Sequence, residues 1–151
     1  GLTRSLRVEQ PTRCDRLLLI SLRQHDDPSN WDEVFTALHS RLASYEIHTG
    51  FSHCLEALHA GALSVKQQLK LFASPSPRVR LLIGAHGANL ANMLWCLPPL
   101  DVVEVFALRS GPAFTNYFHM AKALAFEHWL VHSNAGTIPV DSLLATVNQA
   151  L

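Results

Sequence analysis

A cluster of chemistry-bearing residues lies in one short stretch, Gly84-Ala85-His86-Gly87-Ala88-Asn89-Leu90-Ala91-Asn92. It follows directly on the apolar run Val79–Ile83 and leads into Leu90–Trp95, which reads as a short helix. A loop that opens a helix exposes N–H groups without intrahelical partners, at the positive end of the helix dipole. Such a loop suits an anion, and a phosphate above all. Gly84 and Gly87 permit close backbone approach and positive φ. His86, Asn89 and Asn92 add polar groups suited to phosphate, ribose or sugar hydroxyls. The pattern is neither Gly-x-Gly-x-x-Gly nor a Walker loop with its Gly-Lys-Ser/Thr. Two glycines also serve a plain strand-to-helix turn, so spacing alone leaves both readings open.

Two further residues belong to the same chemistry. Arg23 follows the apolar run Leu17–Leu22 at once, and a guanidinium can grip a phosphate in a planar, bidentate manner. Its alternative is a solvated charge at a strand end. Glu104, inside Val102–Phe106, suits ribose hydroxyls as an acceptor, or else a neighbouring Lys or Arg as an ion-pair partner. Asn92 can equally cap backbone groups within its own helix.

Other chemistries find less support. His48, His53 and His59 do not have the i,i+4 spacing of a helical zinc pair. His128 and His132 have it, but flank Trp129-Leu130-Val131 in a predicted strand, so no metal site is expected. Ser110-Gly111 is not part of a Gly-x-Ser-x-Gly elbow. Cys14, Cys54 and Cys96 form no Cys-x-x-Cys, and at most one internal disulfide is possible. Free buried thiols are the expectation, Cys being among the most buried residue types.

The elements that must hold these groups alternate in type. Leu17–Leu22 and Val79–Ile83 are continuous apolar runs, as strands buried on both faces require. Asp26–Asn30 is a turn cluster, with Asn30 a candidate cap. Val34, Phe35, Leu38 and Leu42 then recur at helical spacing. Tyr45–His48 reads as a short strand closed by Gly50, and Leu55–Ala60 as helical, broken at Gly61. Ser64 caps a helix through Phe72 that ends at Pro75-Ser76-Pro77. Pro98-Pro99 stops the helix after the glycine loop, and Val102–Phe106 is the next strand. Asn116–Glu127 reads as a helix, Trp129–His132 as a strand, and Pro139 opens a last helix. There Asp141 is the candidate cap, with Leu144, Val147 and Leu151 inward. This alternation predicts a parallel sheet with helices on both faces, a doubly wound α/β domain that binds ligands at the carboxyl ends of its strands. We divide the chain into an extension or linker over 1–15 and one domain over 16–151.

Composition narrows the function. The 151 residues carry 12 Lys+Arg against 12 Asp+Glu, which argues against nucleic-acid binding through clustered cations. A hydrophobic share of 48% argues against disorder. No apolar run reaches the ~20 residues of a membrane helix. Gly1–Arg16 lacks the apolar centre of a signal peptide, and we read the chain as a piece of a longer protein.

The stretch from Leu82 to Trp95, the Pro98-Pro99 turn and Val102-Val103-Glu104-Val105-Phe106 together resemble the signature of glycosyltransferase family 61. That signature is a strand, His-Gly-Ala-x-Leu-x-Asn, an apolar tail, a proline turn and a strand bearing a glutamate. Ile20-Ser21-Leu22-Arg23 resembles the family's strand-end arginine, and Asn30–Val34 its Asn-Glu-x-Glu-Val helix start, with Trp31 a departure. Gln67–Phe72 resembles the Glu-Gln-Ile helix, and Asn116-Tyr117-Phe118 with Ala121 the Tyr/Ala helix after the signature. The likeness spans about residues 16–150 and is most specific over 82–106. A second arginine that the family often places soon after the first is replaced here by Gln24-His25-Asp26-Asp27-Pro28-Ser29.

The resemblance implies a Rossmann-like domain, the C-terminal half of a GT-B glycosyltransferase, with the N-terminal half outside this chain. It implies inverting transfer of a pentose or N-acetylglucosamine from a UDP-sugar to a glycan or protein hydroxyl. No metal or other cofactor is expected, and the compartment implied is the Golgi or ER lumen. Donor contacts then fall to Arg23, His86, Gly87, Ala88, Asn89, Asn92 and Glu104. No catalytic base is evident in the chain; the missing half is the place to seek it. A competing reading is a diverged, non-catalytic relative that binds glycan or protein. A nucleotide hydrolase is disfavoured by the lack of a Walker lysine and of paired acidic metal ligands.

Overall fold

The computed structural model describes residues 14–23, 28–107 and 115–151. Five strands, β1 (Arg16–Leu22), β2 (His53–His59), β3 (Arg78–Ala85), β4 (Asp101–Ala107) and β5 (Glu127–Ser133), form one sheet in the order β2-β1-β3-β4-β5. Every pairing is parallel. The domain is therefore α/β and Rossmann-like, as the alternation predicts. Much of the predicted 1–15 extension and of the 24–29 loop, together with Ser110-Gly111, lies outside the described residues.

Side chains alternate between two apolar layers because strand neighbours point to opposite faces. On one face Leu18, Ile20, Leu81, Ile83, Val103 and Val105 pack under α1 (Trp31–His39), α2 (Leu42–Thr49) and α5 (Val140–Ala150). On the other, Leu17, Leu19, Val79, Leu82 and Val102 meet α3 (Val65–Phe72), the 3-10 helix Ala88–Trp95 and α4 (Asn116–Ala123). β1 and β3 are covered on both faces, which explains their unbroken apolar runs. No described helix is long and apolar enough to cross a membrane.

Several local expectations are corrected. Tyr45–His48 is not a strand but the body of α2. Its apparent alternation was misleading: Tyr45 is buried while Ile47 is 86% exposed, and left-handed Gly50 ends the helix. Leu55–Ala60 is not a helix, for its first five residues belong to β2. Leu, Glu and Ala favour helix locally, but pairing with β1 overrides that preference. The helix predicted to Glu127 stops at Ala123; Ala125 takes φ 58° and turns the chain into β5. In α5 the inward residues are Leu143 and Val147, with Leu144 half-buried, and Asp141 lies in the first turn without capping. Asn30 precedes α1 but makes no cap bond; its side chain instead holds Ile138, through N–H at 2.8 Å and carbonyl at 2.9 Å. Ser64 does cap α3, in a reciprocal capping box with Gln67.

Cys14 and Cys54 are not free thiols but form a disulfide. The parallel register sets Leu17 beside Cys54 and brings Cys14, just before β1, within reach. Cys96 remains a free buried thiol, pushed up to about 12 by desolvation and hence unreactive.

Candidate functional site

Strand order reverses between β1 and β3, since the chain leaves β1 for β2 on one side and continues through β3, β4 and β5 on the other. In open α/β sheets a crevice opens beyond the strand ends at that reversal, and ligands bind there. Arg23 lies just past the end of β1, and His86, Gly87 and Asn89 just past the end of β3. The two segments are stitched together. Arg23 Nη1 donates to the His86 carbonyl at 2.8 Å, and Asn89 Nδ2 donates to the Ser21 carbonyl at 2.8 Å.

The glycines are required by these contacts. A Cβ on Gly84 would stand 2.9 Å from Asn89 Nδ2 and from Leu90 Cδ2. A Cβ on Gly87 would stand 3.0 Å from Arg23 Nε, so the guanidinium lies against bare backbone there. Gly87 itself has φ 152° and ψ 176°, conformational space that is nearly exclusive to glycine.

The loop continues as the short helix anticipated, here a 3-10 helix over Ala88–Trp95. Leu90 N–H donates to the Gly87 carbonyl, whereas the amides of Gly87, Ala88 and Asn89 meet no acceptor among the described residues. Asn92 bonds back to the Asn89 carbonyl at 3.3 Å, the capping alternative allowed for it. Asn89 acts as a clamp on β1, and its buried Oδ1 has no partner among the described residues.

His86 stands just past the end of β3, its side chain 24% exposed. Its imidazole packs edge-on against Phe106 (5.0 Å between centroids) and Tyr117 (5.3 Å). Nδ1 bonds Glu104 Oε1. Glu104 is only 2% exposed, and its second oxygen bonds His128 Nε2 at 2.7 Å. Neither the Lys nor the Arg partner considered for Glu104 stands at its side chain among the described contacts; two imidazoles do. The carboxylate stands behind the His86 ring with both oxygens engaged, because its position on β4 falls between β3 and β5. Tyr117, buried on α4, is the second of these ring contacts. Burial, with the Glu104 charge adding to it, pushes the Tyr117 hydroxyl above its ordinary value, while Arg23 pulls the other way.

Of the sequence candidates, Arg23, His86, Gly87, Ala88 and Asn89 meet at one rim. Asn92 and Glu104 support that rim from within. His128 and Tyr117 were missed as site residues. The i,i+4 spacing of His128 to His132 suggested only a metal pair, and nothing local reveals that His128 sits opposite Val102, one strand from the loop. Among the described residues, no group of three or more His, Cys, Asp or Glu is arranged to hold a metal ion. No protein-family model matches the chain, and no curated protein matches it in comparison.

Proposed function

We propose that this chain is the donor-binding domain of an inverting glycosyltransferase that uses a UDP-sugar, and that it belongs to the C-terminal half of a GT-B enzyme. One observation supports the reading most: Arg23, His86 and the Gly87–Asn89 turn meet at the strand-order reversal. In inverting transfer the acceptor oxygen attacks the anomeric carbon while UDP departs, so negative charge grows on the diphosphate. Donors fixed in advance stabilise that charge without reorganising. Arg23 gives a planar cation, Gly87, Ala88 and Asn89 give N–H groups, and the His86 imidazole stands beside them. The acceptor is a glycan or protein hydroxyl, and the transferred sugar a pentose or N-acetylglucosamine. The Cys14–Cys54 disulfide supports an oxidising compartment such as the ER or Golgi lumen.

A second reading, a non-catalytic relative that keeps the fold, is favoured by the burial of Glu104 and its bonds to two imidazoles. Titration of the protein with UDP, followed by calorimetry and amide NMR, tests donor binding. Shifts at His86, Gly87 and Ala88, weakened by Arg23→Ala, are expected. An unmoved spectrum at saturating UDP refutes the donor site. Binding without sugar transfer by the full-length protein supports the second reading.

A further inference from the structure

We propose that His128 is a positioning residue for His86, acting through Glu104 to hold one tautomer of the His86 ring. An ionised carboxylate only accepts hydrogen bonds. Facing Glu104 in its ionised form, both ring nitrogens carry hydrogen: Nδ1 of His86 and Nε2 of His128. The three side chains come from three adjacent strands or their ends, β3, β4 and β5, so the row is set by sheet register. With Nδ1–H directed at Glu104, the neutral His86 ring has Nε2 as its proton acceptor. When Nε2 takes a proton, the adjacent carboxylate neutralises the imidazolium, as the buried acid does in a hydrolase triad.

His128 is what makes the carboxylate dependable. The residue as a whole is half-buried, but its side chain is 6% exposed beside a Glu104 side chain at 3%. Without its N–H, one buried carboxylate oxygen would lose its donor and Glu104 could turn away from His86. The other groups around the row are Tyr117, packed on the His86 ring, and Arg23, whose charge is felt at Tyr117. Phe118 on α4 packs edge-on to the His128 ring at 5.7 Å and limits its rotation.

The inference rests on the donor-site reading only for its functional consequence; the tautomer is a property of the folded chain. The test is long-range proton–nitrogen NMR of the imidazoles in 15N-labelled protein at about pH 8.5, roughly two units above the ordinary histidine value. The parent should show His86 with hydrogen on Nδ1 and His128 with hydrogen on Nε2. His128→Phe should leave His86 exchanging between tautomers and weaken UDP about tenfold, as the loss of a hydrogen bond to a charged group implies. His128→Gln, whose amide can donate to the same oxygen, should restore both. Where His128→Phe does not fold, Glu104→Gln serves. A glutamine presents one acceptor and one donor, so one of the two rings should switch tautomer. A parent His86 with hydrogen on Nε2 would overturn the inference. So would a folded His128→Phe with an unchanged His86 signature, or a Glu104→Gln in which neither ring switches. Parent tautomers as stated, with no UDP response, would remove the donor site and leave the positioning role standing.

Discussion

Gly87→Ala isolates the interaction on which the anion site depends. Two effects act at once. The backbone at φ 152° and ψ 176° is nearly closed to a residue with a Cβ, a strain on the order of 1–3 kcal/mol. The new methyl would also stand 3.0 Å from Arg23 Nε and 3.1 Å from Cζ. A flexible guanidinium can move away, so this second effect displaces Arg23 more than it strains the core. The expected stability loss is therefore about 2 kcal/mol, nearly all from the backbone. At this chain length that lowers Tm by about 4–8 °C. UDP affinity should fall about tenfold, equivalent to about 1.4 kcal/mol. Gly136→Ala is the control, since Gly136 has φ 80° and a methyl added there would meet nothing within 4 Å. It should lose about 1 kcal/mol from strain and bind UDP unchanged. In an Arg23→Ala background, Gly87→Ala should keep its stability cost yet no longer alter affinity, because the displaced group is gone. Urea denaturation and calorimetry read the two effects separately. A Gly87→Ala protein that matched the parent in both would refute the reasoning, and an undiminished affinity effect without Arg23 would refute the steric part.

Two predictions concern stability away from the site. The Cys14–Cys54 bond closes a 40-residue separation, for which chain entropy predicts about 4 kcal/mol of stabilisation. Urea midpoints with and without reductant, compared with those of a Cys14→Ser/Cys54→Ser variant, should show that loss; equal midpoints would contradict it. Burial, reinforced by the Arg16 charge, lowers the His53 imidazole below its ordinary value of 6.5. The folded chain then binds fewer protons than the unfolded one as pH falls below about 6.5, so stability present above that pH is lost in acid. His53→Gln should flatten the dependence between about pH 7 and 5, and an unaltered slope would assign the acid sensitivity elsewhere.

The sequence by itself determined the fold class and the two segments that form the rim. Leu17–Leu22 and Val79–Ile83 are predominantly apolar on both faces, a composition that suits central strands. Gly84, His86, Gly87 and Asn89 advertised the turn between strand and helix through residue type alone. Tertiary structure decided whatever depended on neighbours distant in the chain. β2 became a strand because β1 offered a parallel partner, and the same register joined Cys14 to Cys54. Glu104 faced two imidazoles because β4 runs between β3 and β5. Short-range periodicity reports which face of an element is apolar. It carries no information on which strand lies beside another, and that adjacency assembles the Arg23–Gly87 contact and the His86–Glu104–His128 row.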